Sequence, residues 1–225
     1  MLNKNLILSI LLLFTTYSFA GNINKEKPKY LWFDAEANFE RFSSKDSISY
    51  YLEKAKDVGF NQVVVDVKPI YGEVLYKSKI LPPLTTVHNK VIERDWDYLQ
   101  YFIDEAHRLG LKVTVSTAVF TAGHPATCEG LVYEDKRWNG KTCLEYMSNN
   151  KMLDIRDDKQ KVGAFLNPVR KDVRNFALSI IREIVKNYDI DAYALDYCRY
   201  PADNSDFSNE TRKAFENYLG KKIKN

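Results

Sequence analysis

The sequence is poor in the residues that several chemistries require. It holds three histidines in 225 residues, His88, His107 and His124. None falls in an HxH or HExxH pattern or at a paired spacing, so no bound metal is expected. No GxSxG stretch is present, which removes the nucleophile elbow of a serine hydrolase. Glycine is scarce, at nine residues. None follows the first β-forming run, FDAEANFE, where a dinucleotide-binding turn would need them, so no nucleotide cofactor is expected either. There is no long basic block and the formal net charge is only +3, which makes nucleic acid an unexpected partner. Long apolar runs are also missing beyond the first twenty residues, so no membrane-spanning helix is expected.

What is present begins with MLNKNLILSILLLFTTYSFA. Lys4 stands near the start, an apolar run covers Leu6 to Phe14, and Ser18-Phe19-Ala20 forms a small-x-small cleavage site. This is the pattern of a cleavable signal peptide over residues 1–20, which predicts a secreted or periplasmic protein with one domain over 21–225. No cysteine follows the cleavage site, which argues against a lipid-anchored form. Export makes disulfides permissible. Cys128 and Cys143 lie in one loop-like stretch, TCEGLVYEDKRWNGKTC, and are the candidate bridge, with Cys198 left as a buried thiol. An odd count fixes no pairing, and three unpaired thiols are the alternative.

The domain reads as β-forming runs alternating with helical patterns. YLWFDAEANF (30–39) precedes a helix across DSISYYLEKAKDV, capped by Ser44 or Asp46 and stopped at Gly59. NQVVVDVKP (61–69) precedes DWDYLQYFIDEAHRLG, whose apolar positions Tyr98, Leu99, Phe102, Ile103 and Ala106 share one helical face. LKVTVSTAVF (111–120) is followed by a long excursion and then RKDVRNFALSIIREIVKNY. The fourth run, DAYALDYCRYP, begins at residue 191 and leads to a last helix in TRKAFENYLGKKI, capped near Ser208. Strict alternation predicts a parallel sheet flanked by helices, of α/β class. The missing glycine-rich turn favours a (β/α) barrel of the TIM type over a doubly wound sheet.

Period-two spacing then separates two faces. Val63, Val65 and Val67, with Val113, Val115 and Val119, are predicted to meet the helices. The opposite, inward face carries Trp32, Asp34 and Glu36, then Asp66 and Lys68, then Ala192, Ala194, Asp196 and Cys198. Barrels place their chemistry at the C-terminal strand ends, which is where Asp34, Glu36, Asp66, Lys68, Asp196 and Arg199 fall. Each has a plain structural reading as well. Asp196 can be salt-bridged to Arg199, Asp66 and Lys68 can form an internal ion pair, and Glu36 can cap a loop. Four strands in 225 residues amount to the first four β/α units, a half barrel whose edges and inner face a second chain or a second copy is expected to cover. A complete small α/β sheet is the alternative.

Several stretches together resemble the bacterial glycoside-hydrolase-like family ten. They are WFDAEANFERF, VVVDVKPIYGEVLY, FTAGHP and FLNPVRKDVRNFALSIIREIVKNYDIDAYALDYCRYP. The resemblance implies a secreted (β/α) barrel that acts on or binds polysaccharide or oligosaccharide, with no cofactor. It also implies that Asp196, at the end of the fourth strand, is the nucleophile or base, its partner acid lying on a later strand. Hydrolysis of a glycosidic bond needs two carboxyl groups, about 5.5 Å apart for retention and more for inversion. Arg199 or Lys68 would keep Asp196 ionised. Asp34, Glu36, Asp66, Lys68, His124, Asn167, Arg199 and Tyr200 are the candidate substrate-binding residues. Asn167 reads equally as a helix cap, and Tyr200, Trp32 and Trp138 as core or loop anchors. The rival function is a non-catalytic carbohydrate-binding or truncated pseudo-enzyme fragment.

Overall fold

The computed structural model describes residues 27–223. The expected signal peptide therefore lies outside the described residues. Four parallel strands form the main sheet: β1 (Tyr30–Phe33), β2 (Gln62–Lys68), β3 (Lys112–Ala118) and β4 (Ala192–Asp196). Their spatial order is the chain order, β1-β2-β3-β4. It lacks the reversal that defines a doubly wound sheet and follows the neighbour-to-neighbour progression of a barrel wall.

Registration fixes the two faces. Trp32 pairs with Val64, Val64 with Thr114, and Thr114 with Ala192. One residue on, Phe33, Val65, Val115 and Tyr193 form the next row, on the helix side. Val63, Val65, Val67, Val113 and Val115 are completely buried, each contributing roughly 1.5–3 kcal/mol of apolar burial. On the other face Trp32 is half exposed, and Asp66, Ser116 and Ala194 stand in one row.

Four helices complete the units: α1 (Lys45–Asp57), α2 (Tyr98–Arg108), α3 (Lys171–Asn187) and α4 (Asn209–Leu219). Ser44, Asp97 and Ser208 cap α1, α2 and α4 by accepting backbone N–H bonds from Ser47, Gln100 and Thr211. The buried face of α2 consists of Tyr98, Leu99, Phe102, Ile103 and Ala106. Helix α3 buries Val173, Ala177, Ile180 and Ile184. Helix α4 departs from this pattern, leaving Phe215 and Tyr218 exposed.

The strands end earlier than their apolar runs suggest. The chain turns out of β1 at Asp34, whose Oδ1 accepts the N–H groups of Glu36 and Ala37 at 3.0 and 2.8 Å. Its carbonyl accepts the N–H of Asn38. Asp34 and Glu36 therefore sit in a helical turn and do not share a strand face. Strand β4 stops at Asp196, because Tyr197 has φ 45°, and Cys198 is exposed rather than buried. All three cysteines are free. Cys143 is fully buried with its thiol on the Leu166 carbonyl. Cys128 is exposed, with Lys159 Nζ 2.7 Å from its sulfur. The expected Cys128–Cys143 bridge is thus not formed: one thiol is packed in the core and the other lies on a surface turn.

Candidate functional site

At the C-terminal end of the sheet, the face opposite the helices gathers charge from β2, β4 and the turn after β1. Asp66 occupies the last regular position of β2, before a register shift that separates it from Lys68. Burial, and then the neighbouring charge of Asp34, push its pKa up to about 7. The backbone N–H groups of Lys68 and Ala35 pull the other way. Its Oδ1 is buried without a hydrogen-bond partner, an expensive arrangement in a closed interior. Glu36 is raised too, by burial first and then by Asp34, with His88 opposing.

Lys68 forms no ion pair with Asp66. Its side chain is 1% exposed, and Nζ donates to the carbonyl oxygens of Ala118 at 2.5 Å and Thr121 at 2.8 Å. Burial lowers its pKa to about 8. The ammonium therefore ties the end of β2 to the turn after β3 and offers nothing to solvent.

Asp196 lies exposed at the end of β4, opposite Ala118. Its Oδ1 accepts the Tyr197 N–H at 2.8 Å. Arg199 is not its counter-ion, because Nη1 donates to the Tyr200 and Pro201 carbonyls, each at 3.0 Å. The Arg199 guanidinium stacks over the rings of Tyr197, at 5.2 Å, and Phe165, at 5.7 Å. Neither Arg199 nor Lys68 supplies the expected charge partner for Asp196.

Two tyrosines that no strand periodicity marks stand at this rim. The Tyr197 phenol is raised by burial, then by Asp196, with further contributions from Glu36 and Asp34 and opposition from Arg199. One ring thus stands among the carboxylates of β4 and of the turn after β1. The Tyr71 phenol is pushed up to about 12, by burial and then by Glu36, Glu129 and Glu73. It links the rim to a second acidic group in which Glu73 is raised to about 7 by burial, Glu134 and Glu129. Gly130 keeps this loop close: a Cβ there would stand 2.5 Å from the Tyr71 carbonyl oxygen. Tyr71 and Glu73 lie in the quoted run IYGEVLY. The only sequence signal for them was their position just after a strand end.

The remaining candidates separate. His124 stays near the rim, its ring 5.7 Å from that of Tyr71 and its Nδ1 2.9 Å from the Thr127 hydroxyl. Asn167 is buried and fully engaged. Its Oδ1 accepts the Val169 N–H, and its Nδ2 donates to Asp206 at 2.6 Å and Ser208 at 3.0 Å. Tyr200 lies in that same network, with its hydroxyl against Thr211 and with Cys143 and Asp206 nearby. Both stand with the structural tie rather than with the carboxylates. Trp138 anchors its loop on Phe176, ring centroids 4.5 Å apart. Among the described residues no group of three or more His, Cys, Asp or Glu side chains is placed to hold a metal ion. No described helix is long and apolar enough to cross a membrane.

Sheet order and the flanking helices define an α/β protein whose fold is shared with TIM-barrel structures. Alpha-L-fucosidase isoenzyme 2 from Paenibacillus thiaminolyticus superposes with a TM-score of 0.55 at 19% identity, over 87% of this chain and 26% of that one. A hypothetical protein from Ruminiclostridium thermocellum superposes at 0.52 and 18% identity, over 85% of this chain and 88% of that one. The chain belongs to the glycosyl hydrolase-like 10 family, whose sequence model matches residues 29–224. It is 35% identical over 204 residues to an S-layer-related protein of Niallia circulans, covering 86% of this chain and 12% of the relative. It is 28% identical over 149 residues to glycosyl hydrolase DigH of Escherichia coli (strain K12), covering 64% of this chain and 32% of DigH. The chain thus spans between about an eighth and a third of the length of these curated relatives.

Proposed function

We propose that the chain carries the first four β/α units of a glycoside hydrolase barrel, and that Asp196 is the carboxylate serving as nucleophile or base at the reacting carbon. The observation that carries this reading is the convergence of Asp34, Glu36, Asp66 and Asp196 on the C-terminal rim of one parallel sheet. Asp34 and Glu36 accept from sugar hydroxyls, while Tyr197 and the stacked Arg199 form a flat wall against which a pyranose ring rests. Asp66, with a pKa near neutrality, holds a proton over part of the physiological range. The leader expected at residues 1–20 makes an extracytoplasmic polysaccharide the substrate class.

The test is hydrolysis of aryl glycosides by the purified chain, alone and with a complementing half barrel. Asp196→Asn is expected to reduce turnover by roughly a hundredfold or more. Activity unchanged by that substitution would remove Asp196 from the mechanism.

Carbohydrate binding without cleavage by the isolated chain is a second reading, and one observation favours it. Asp196 faces Ala118 on the neighbouring strand, and the nearest strand-borne carboxylate, Asp66, stands on β2. Two strand spacings and a register offset of two residues separate their backbones by roughly 11.5 Å, wider than the about 5.5 Å of a retaining pair and the about 9.5 Å limit of an inverting one. Oligosaccharide binding with no hydrolysis, retained in Asp196→Asn, would establish it.

A further inference from the structure

Beside the strand-end rim, the structure contains a cavity of about 450 Å³ between the loop that follows β2 and the start of α2. Its wall includes Leu81, Leu84, Ile92, Arg94, Trp96 and Tyr98, and none of the rim carboxylates. The size is that of an ordinary small-molecule site.

Arg94 is the unusual wall residue. Its guanidinium is sandwiched between the rings of Phe39 and Tyr98, at 5.2 and 5.3 Å. Its Nη2 donates to the carbonyl oxygens of Phe42, at 3.1 Å, and Phe39, at 3.4 Å. Its Nε is buried with no acceptor. The one carboxylate among the described wall residues, Glu93, is exposed and forms no ion pair with it. Burial lowers the Arg94 pKa, the signature of a cation removed from water without a compensating anion. Tyr98 lies beside it in the cavity wall, 4% exposed as a whole residue. Trp96 stacks on Tyr98, ring centroids 6.1 Å apart and planes 26° from parallel. A half-buried guanidinium with no carboxylate partner and a tyrosine hydroxyl therefore share one apolar, aromatic-walled space.

We propose that this cavity is a second ligand site, taking a small carboxylate carried on a ring with an apolar face. The acid would sit between the Arg94 guanidinium and the Tyr98 hydroxyl, and the ring against Trp96, Leu81 and Leu84. Charge-assisted hydrogen bonds to a partly desolvated guanidinium are the strong kind, and the aromatic wall supplies the apolar remainder. A uronic acid, through the C–H face of its ring, and an aromatic acid present the same chemistry.

Titration calorimetry of the full chain decides it, with glucuronate and benzoate as probes and glucose and benzyl alcohol as their neutral counterparts. At least one acid is expected to bind saturably at roughly millimolar concentration or below, and its neutral counterpart roughly tenfold more weakly. Glucuronate alone binding assigns an acidic sugar, and benzoate alone an aromatic acid. Arg94→Gln is expected to abolish binding. Tyr98→Phe, which keeps the packed ring, is expected to weaken it severalfold, and decides the matter if Arg94→Gln does not fold. Asp196→Asn is expected to bind as the unaltered chain does. The proposal is overturned if neither acid binds, if acid and neutral counterpart bind alike, if Tyr98→Phe leaves affinity unchanged, or if Asp196→Asn abolishes binding.

Discussion

Asp66 makes a measurable statement about the folded state. Its pKa rises from 3.8 to about 7 because burial and Asp34 disfavour the charged form. Between those values the folded chain binds more protons than the unfolded one, so stability falls as pH rises from about 4 to about 7. Glu73, raised to about 7, acts in the same sense. Lys68 acts in the opposite sense, since the unfolded chain binds the extra proton between about 8 and 10.5, and stability recovers over that window. Urea unfolding across pH is expected to show the decline, and Asp66→Asn to flatten it and to raise stability at pH 8 by about 1 kcal/mol or more. An Asp66→Asn chain with an unaltered slope would show that this carboxyl is not the source. The cysteines give a simpler check: a thiol reagent is expected to modify Cys128 and Cys198 quickly, and Cys143 only on unfolding, since burial encloses that thiol and raises its pKa. The rim carboxylates were legible in the sequence because period two forces Asp66 and Asp196 off the valine face. Tyr197 and Tyr71 were not, because their placement follows from a positive φ and from a loop contact, which no periodicity encodes.

At the level of elements, the sequence reading succeeded where one pattern repeats. The five apolar residues expected on the second helix are the buried face of α2, and the valine triplet of β2 is buried as expected. It failed where a side chain redirects the backbone, as at Asp34, which ends β1 by bonding the next turn. The long excursion before α3 was the least legible part. Its organiser is Asp206, a residue in no pattern. Asp206 Oδ1 accepts the Leu144 N–H at 2.5 Å. Its Oδ2 accepts from Asn167 and Thr211, each at 2.6 Å, and from the Ser208 hydroxyl. One carboxylate thus joins the hairpin around Leu144, the segment before α3 and the cap of α4. Asp206→Ala leaves these donors buried without an acceptor and is expected to cost about 3 kcal/mol, read as a lower urea midpoint. A change below about 0.5 kcal/mol would show that the tie is not structural.

On the scale of the whole molecule, the unfinished features are its edges. Among the described residues, strands β1 and β4 each pair on one side only, and unpaired strand edges are ready templates for association. Both edges are apolar: Tyr30 and Trp32 on β1 and Leu195 on β4 are each about half exposed. A second layer of chain that closed the sheet would cover the apolar edges. The chain is therefore expected to associate with a second copy, or with a complementing half barrel where one is supplied. Light scattering across concentration is the measurement, with a dimer mass the expected result. Trp32→Lys puts a charge on the β1 edge without touching the helix-side core, and is expected to shift the chain to monomer while its circular dichroism stays unchanged. A chain that is monomeric at every concentration, with or without that substitution, would mean that water tolerates the open edges, and the expectation of a completing partner would be withdrawn.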